Sequence, residues 1–342
     1  MKLTIKEIAD MAGVSVTTVS QIINNKGSRF SEKTRNKVLA VVEEFDYKPD
    51  YFASNIITRH SKTIGMVVPD VTDFFFAKVI EGVETYLNSL GYMILLCNSK
   101  HDEEKATQYV TELIHRSVDG IIFATPNILP VDHILKNKSK RKVPVILVDR
   151  GINPRENGRL IVKEYEGAYR AVCSLVEQGH RHIAMLTEND GYYQLTERVT
   201  AYQHALKDHG IPVRAEYMSS GDLNLGGGYM AAKNVLKNPQ ITAIFCGNDE
   251  MAMGAYQAIE ESGKKIPDDI SIIGFDGLEI SEYLVPGLTT VYQPSFDIGF
   301  YAAQFLVESI NDPDKKIPNK IFDTTFILRN STKSIDNLVD LI

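Results

Sequence analysis

The sequence is poor in the features that would take it out of the ordinary globular class. Its 342 residues hold only three cysteines, Cys97, Cys173 and Cys246. They are odd in number, far apart and set in apolar surroundings, so buried thiols are expected rather than a disulfide framework or a metal site. No stretch approaches the ~18 consecutive apolar residues that a membrane span needs. The opening Met-Lys-Leu-Thr-Ile-Lys-Glu-Ile lacks the unbroken apolar segment of a secretory leader. A cytoplasmic chain without a membrane partner is therefore expected. Low-complexity segments and short-period repeats are missing as well. So are Gly-x-Ser-x-Gly, Walker A and His-Glu-x-x-His patterns. The eight histidines are scattered, with His180 and His182 bracketing one arginine. No catalytic residue, metal or cofactor is expected. Gly226-Gly227-Gly228 has no Lys-Thr partner, so it reads as a tightly packed helix start, not a phosphate loop.

What is present is a length of two or three domains. At 44% hydrophobic and 24% charged, the chain can bury sizeable cores. The net charge of −7 hides an asymmetry: residues 1–62 carry 10 Lys+Arg against 7 Asp+Glu, leaving 27 against 37 for the rest. A mildly basic head on an acidic body is compatible with a nucleic-acid-binding module fused to a second function.

The head reads as short helices. Thr4 followed by Glu7 is a capping-box pattern, with Ile5, Ile8, Ala9 and Ala12 forming an apolar stripe over about 5–12. Gly13 ends that helix, and Ser15 caps a second through Val16, Val19, Ile22 and Ile23. Two helices about a short Gly-containing turn make a helix-turn-helix pattern. Ser31 caps a third helix, with Val38, Leu39, Val41, Val42 and Phe45 expected inward. Tyr47-Lys48-Pro49-Asp50 then marks a linker.

From residue 63 short apolar runs alternate with amphipathic helical patterns. Strands are expected at Ile64–Val68, Met93–Cys97, Gly120–Ala124, Pro144–Val148, His182–Leu186, Ala243–Cys246, Ser271–Phe275 and Ile321–Leu328. Helices are expected near 76–90, 103–115, 166–178, 196–209, 226–236, 249–262 and 297–310. This alternation argues for parallel sheets covered by helices on both faces, and the length suits two sheets better than one.

In a helix-turn-helix the start of the second helix reads base edges in the major groove. Val16, Thr17 and Gln21 hold those positions, with Thr18 and Ser20 available for phosphates. Gln can bind adenine through two hydrogen bonds, and Val and the Thr methyl suit the thymine methyl, so readout leans towards A·T pairs.

Thr4-Ile5-Lys6-Glu7-Ile8-Ala9-Asp10-Met11-Ala12-Gly13-Val14-Ser15, with Thr18-Val19-Ser20 and Ile23-Asn24, resembles the head of the LacI/GalR (lactose-repressor) family of bacterial transcription regulators. Gln178-Gly179-His180-Arg181-His182-Ile183, Gly247-Asn248-Asp249-Glu250-Met251-Ala252, Ile266 through Asp276, and Pro286-Gly287-Leu288-Thr289-Thr290-Val291 are similar to that family's sensor signatures. The resemblance implies an α/β chain: an all-α helix-turn-helix head at 1–46, a hinge helix and linker at 47–61, and a periplasmic-binding-protein-like core at 62–342. The core would hold two Rossmann-like subdomains, about 62–160 with 291–322 and about 161–290 with 323–342, closing on a sugar or sugar-phosphate effector. It implies a homodimer on a pseudo-palindromic operator, acting as a repressor of sugar-utilisation genes. Rival classes are a sugar-transport binding protein and a sugar-metabolising enzyme.

Carried over by position, the DNA contacts would be Thr4, Ser15, Val16, Thr17, Thr18, Ser20, Gln21, Asn24, Tyr47, Ala53 and Ile56. Ile56 stands where the family places a leucine wedge in the minor groove, and Asp50 replaces the usual Asn. A hinge of about 50–58 is too short to be a stable helix alone, so it is expected to order only on operator. Effector contacts would be Phe75 and Phe76, from an aromatic loop covering the ligand, with Asp149, Arg198, Asn248, Asp276 and Gln293. Asp249 reads more as a helix cap. Two departures bear on the ligand. An acidic residue usual after the Leu160–Ile161 strand is replaced within Val162-Lys163-Glu164-Tyr165, and Leu223 stands where an aromatic platform is frequent. Lys163 would favour an acidic or phosphorylated sugar if it faced the cleft, and nothing if it faced solvent. Leu223 argues against a purine or a large pyranose face. The family's tetramer-forming tail is not expected, because ten residues after Thr332 are too few.

Overall fold

The computed structural model describes residues 3–23, 28–47, 60–124, 143–148, 158–189 and 196–335. They fall into two compact units, 1–61 and 62–342. The expected hinge, with Ala53 and Ile56, and the expected contacts Asn24 and Asp149 lie outside the described residues.

In the first unit the local signals operate as read. Helix α1 (Ile5–Ala12) opens on a reciprocal capping box: Glu7 N–H donates to Thr4 Oγ1 at 3.3 Å, and Thr4 N–H to Glu7 Oε2 at 2.7 Å. That backbone donor holds the Glu7 carboxyl below its usual range. The helix ends on Gly13 at φ 60°, a left-handed conformation that costs glycine little. Ser15 Oγ accepts from Thr18 N–H at 3.2 Å at the head of α2 (Val16–Ile23). Ser31 does the same for Thr34 in α3 (Glu32–Glu44). Ile8, Ala9, Ala12, Val19, Ile22 and Val38 form the core, with Val41, Val42 and Tyr47 packed partly against it. Leu39 and Phe45, expected inward, are 42% and 45% exposed. Leu39 sits about 100° of helix turn off the Val38–Val42 stripe, and Phe45 is the C-cap, where the backbone has left helical geometry.

The second unit contains two six-stranded sheets. The first runs β2 (Met93–Asn98), β1 (Thr63–Val68), β3 (Gly120–Phe123), β4 (Val145–Val148), β5 (Arg159–Val162), β11 (Lys320–Phe322). All its pairs are parallel, Ile64 facing Ile94 and Gly120, and Leu160 facing Val148 and Lys320. The second runs β7 (Met218–Gly221), β6 (Ile183–Glu188), β8 (Ala243–Cys246), β9 (Ser271–Asp276), β10 (Thr289–Tyr292), β12 (Thr325–Ile327). Only the β10–β12 pair is antiparallel. Helices α4 (Phe74–Ser89), α5 (Glu103–His115) and α10 (Ser295–Asn311) cover the first sheet, and α6 (Glu164–Glu177), α7 (Thr196–Asp208), α8 (Leu225–Val235) and α9 (Asp249–Glu261) the second. These are the expected helices, displaced by one or two residues at their ends.

The chain changes sheet three times: after Val162, after Tyr292 and between Phe322 and Thr325. The first two changes come two residues past the expected points, because β5 and β10 complete their ladders before leaving. The single strand expected over Ile321–Leu328 is two strands in different sheets. Strands β7 and β10 were absent from the expected set: β7 is a polar edge strand without an apolar run, and β10 begins with two threonines that are fully buried. Helix pairs α4–α10 and α8–α9 approach through glycine. A Cβ on Gly82 would meet the Phe296 backbone, one on Gly228 the Met251 backbone, and one on Gly254 the Leu225 backbone. The Gly226–Gly228 run is thus a packing device at a helix start capped by Asn224, whose Oδ1 accepts from Gly227 N–H at 2.8 Å. Among the described residues no helix is long and apolar enough to cross a membrane.

Candidate functional site

In the head, Val16 and Thr17 are exposed at the start of α2, and Thr18, Ser20 and Gln21 are half-buried. The Ser15 hydroxyl caps the helix and bonds the Thr18 hydroxyl at 2.9 Å; the Thr4 hydroxyl bonds Glu7 at 2.8 Å. These three hydroxyls thus hold the helices in position, whatever else they contact. Tyr47 packs against the head core.

In the core unit, the carboxyl ends of β1, β2, β6, β7 and β8 converge on a cleft of about 260 Å³ between the two sheets, where ligands of open α/β sheets sit. Asp70 and Asp73 follow β1, Lys100 and His101 follow β2, Glu188 ends β6, Asp222 to Asn224 follow β7, and Glu250 opens α9. The lining is strongly acidic. Burial pushes Asp70 up, but donors on Thr72 and Lys100 prevail and hold it at about 2; Lys100 Nζ lies 3.0 Å from its carboxylate. Glu250 reaches from the second sheet to the first, accepting from Phe74 N–H. Burial, then the charges of Asp73 and Asp276, push it up to about 8. These residues carry the same sequence signal, a polar group at or just past a strand end, that marks Asn248 and Asp276.

Beside the cleft lies a buried polar cluster. Arg198 in α7 is 0% exposed and lies over Phe275, its guanidinium carbon 3.8 Å from the ring centroid. Its Nε donates to Glu164 Oε2 at 2.9 Å, and Nη1 donates to the Gly247 carbonyl. Nη2 stands 3.7 Å from Asp276 Oδ1 and makes no hydrogen bond among the described residues. Asp276 ends β9 at φ 111°, a region that non-glycine residues rarely adopt and that is found preferentially at functional sites. Gln293 Nε2 donates to Asp276 Oδ1 at 2.6 Å, while Gln293 Oε1, equally buried, accepts no hydrogen bond among the described residues. Arg198, Asp276 and Gln293, expected as ligand contacts, are therefore brought together, with one open donor and one open acceptor about a carboxylate. A ligand hydroxyl complements that pair, since it accepts and donates at once.

Other expected residues sit differently. Asn248, 3% exposed, is the N-cap of α9: its Oδ1 accepts from Met251 N–H at 2.8 Å and its Nδ2 donates to Leu223 O at 3.3 Å. Asp249 is not the cap. It is fully buried and accepts from Leu278 N–H, Ser281 Oγ and Thr290 Oγ1 at 2.8, 2.7 and 2.6 Å, joining α9 to β10; burial pushes it up to about 6. Phe75 and Phe76 lie in the first turn of α4, not in a loop. Each is 3% exposed and belongs to the core of the first sheet; Phe74 is the exposed ring. Lys163 turns away to Asp323 at 2.7 Å, tying the β5 crossing to the β11 crossing, so it offers no counter-charge to a phosphate. Beside it Glu164, not among the expected contacts, is the carboxylate that meets Arg198 Nε.

Residues 4–50 match the family described as bacterial regulatory proteins, lacI family, and residues 61–329 match periplasmic binding proteins and sugar binding domain of LacI family. The chain is 35% identical over 340 residues to the HTH-type transcriptional repressor PurR of Vibrio campbellii, covering 97% of this chain and 99% of that protein. It is similar to the Lac repressor dimer bound to operator and the anti-inducer ONPF, with TM-score 0.87 and 25% identity over 97% of this chain and 100% of that one. It is also similar to a LacI family regulator from Enterococcus faecium with bound ribose, at TM-score 0.72 and 32% identity over 80% and 99%.

Proposed function

The chain belongs to the LacI family of bacterial DNA-binding transcriptional repressors, and from that premise we propose that it binds a pseudo-palindromic operator as a homodimer under the control of a neutral sugar held in its core cleft. The observation that carries the effector reading is the pair of open, fully buried groups, Arg198 Nη2 and Gln293 Oε1, flanking Asp276. An unmade buried hydrogen bond costs about 1–3 kcal/mol, and one ligand hydroxyl at this place would serve both groups. The acidic lining of the cleft favours an uncharged polyol over a sugar phosphate, and the ribose held by the Enterococcus faecium protein is of that class. Titration calorimetry of the full chain with D-ribose tests this. Saturable binding that weakens tenfold or more in Arg198→Ala is expected; equal affinity in both proteins would move the site.

The homodimer reading is supported by an unpartnered apolar surface on the core. Phe74, Ala77, Leu278, Ile280 and Tyr283 border a hollow of about 430 Å³. Tyr283 is 73% and the adjacent Val285 93% exposed. The edge strand β2 also presents Met93, Leu95 and Leu96 to solvent, and contiguous apolar surface of this kind marks an association site. A dimer sets two heads on two half-sites, so an effector that binds two core states unequally shifts operator affinity. The operator-binding reading goes with a cytoplasmic protein that joins the chromosome when it is bound to operator. We read it as a binding protein, not an enzyme; product formation from any bound sugar would overturn that.

A further inference from the structure

We infer that Glu250 is a positioning residue that latches the effector cleft: its carboxyl, carried by the second-sheet half of the core, caps a helix of the first-sheet half and holds a proton while it does so. It rests on the reading that the core moves between two states around this cleft. The first N–H groups of a helix have no partner within its own turns. In α4, Asp73 Oδ1 accepts from Phe75 and Phe76 N–H at 2.8 and 3.4 Å, and the Asp73 carbonyl accepts from Ala77 N–H at 3.0 Å. The donor left over is Phe74 N–H, and Glu250 of α9 meets it from the other half. Glu250 lines the cleft together with Asp70, Thr72 and Asp73, and the Phe74 ring borders the apolar hollow together with Leu278 and Ile280. The contact therefore bridges the two halves, and opening the cleft gives both groups to water.

The carboxyl is buried without a counter-ion. Glu250 is 5% exposed and makes no ion pair among the described residues. The lysine of the cleft, Lys100, is held by both oxygens of Asp70 at 3.0 Å, and His101 follows it. Asp73 from α4 and Asp276 from β9 act on Glu250 as like charges, and Asp70 adds less. Glu188 and Asp222 are the other ionisable groups among the described lining residues. On its own helix, Asp249 spends its carboxylate on Leu278, Ser281 and Thr290. A buried carboxylate lacking a cation is costly, and such a group neutralises by binding a proton. Burial first, then Asp73 and Asp276, accordingly push Glu250 up to about 8. In an open cleft the carboxyl returns to its ordinary value of 4.5. The proton thus favours the closed state: the gain is full below the open value, declines as pH rises and is gone above about 8.

The test uses the full chain as wild type, Glu250→Gln, Glu250→Ala and His101→Gln. Hydrogen exchange resolved to the Phe74 amide by electron-transfer fragmentation, and corrected for the intrinsic pH dependence of exchange, reads the latch without any effector. Protection in wild type and in His101→Gln is expected to fall tenfold or more between pH 6.5 and 8.5. Glu250→Gln keeps an acceptor and cannot ionise, so it should stay protected throughout, whereas Glu250→Ala should be unprotected throughout. A wild-type profile that does not fall, one that falls equally in Glu250→Gln, or one that only His101→Gln flattens overturns the inference. Titration calorimetry with D-ribose adds the functional arm. Affinity is expected to fall at least fivefold over the same range in wild type and to stay within twofold in Glu250→Gln; equal falls in both overturn the coupling of latch to effector. If D-ribose binds neither protein, the effector reading fails, and the Phe74 amide still decides the latch.

Discussion

Asp249 and Asp276 stand at the ends of adjacent parallel strands in the same sheet, both almost wholly buried, and they are built for opposite ends. Asp249 is bonded within the protein: it accepts a backbone N–H and a hydroxyl from the segment following β9 and a second hydroxyl from β10. Asp276 is held by Gln293 and faces Arg198, and each of those neighbours keeps a polar atom open. Burial and residue type are the same; what differs is the neighbours, since Arg198 Nη2 and Gln293 Oε1 beside Asp276 make no hydrogen bond among the described residues. Asp249 thus serves the fold, whereas the open groups beside Asp276 are what the proposed effector site uses.

The comparison breaks first at Asp249. Asp249→Ala strands the Leu278 N–H and the Ser281 and Thr290 hydroxyls in the interior, and a loss of about 3–5 kcal/mol of stability is expected by denaturant titration. A change below about 1 kcal/mol would mean that water or a neighbour replaces the carboxylate. Asp276→Asn should behave inversely. The melting midpoint of the free protein is expected to stay within a few degrees, while effector affinity falls tenfold or more, about 1.5–3 kcal/mol for a charged hydrogen bond. Loss of folding without loss of binding in the surviving fraction would reverse the two assignments.

The same contrast applies in the head. The Ser15 hydroxyl serves a helix cap, whereas the Gln21 amide makes no hydrogen bond among the described residues. Gln21→Ala is expected to cost about 1–3 kcal/mol at the preferred operator, measured by titration of labelled duplexes, and to relax preference at one position per half-site. Uniform weakening across all sequences would make Gln21 a phosphate contact. The smallest effect is one of pH. The folded carboxyl of Glu250, at about 8, lies above its unfolded value of 4.5, so the folded state holds the extra proton. Its contribution to stability is therefore fully present below the unfolded value and declines as pH rises to about 8. The slope is at most about 1.4 kcal/mol per pH unit. Asp249, at about 6, adds nothing to the slope above that point. Glu250→Gln should flatten stability between pH 6 and 8, and Asp249→Asn should flatten only the range below 6. A Glu250→Gln profile parallel to wild type would remove Glu250 from the proton balance.

Local chemistry made much of this molecule legible. Thr4, Gly13, Ser15 and Ser31 bracket the head helices because a cap or a left-handed stop acts within four residues, and the strand–helix alternation of the core follows from side-chain period. The family motifs likewise singled out Arg198, Asp276 and Gln293, which the fold brings together. What only the tertiary structure decided is who meets whom. Lys163 finds Asp323 across 160 positions, and Glu164 finds Arg198 across 34. Ile321 and Phe326, read as one strand, part into two sheets. Asp249 and Asp276 differ only in partners contributed by other segments. Hydrogen-bond satisfaction is a sum over neighbours in space, and sheet order, which no short window of sequence contains, determines those neighbours.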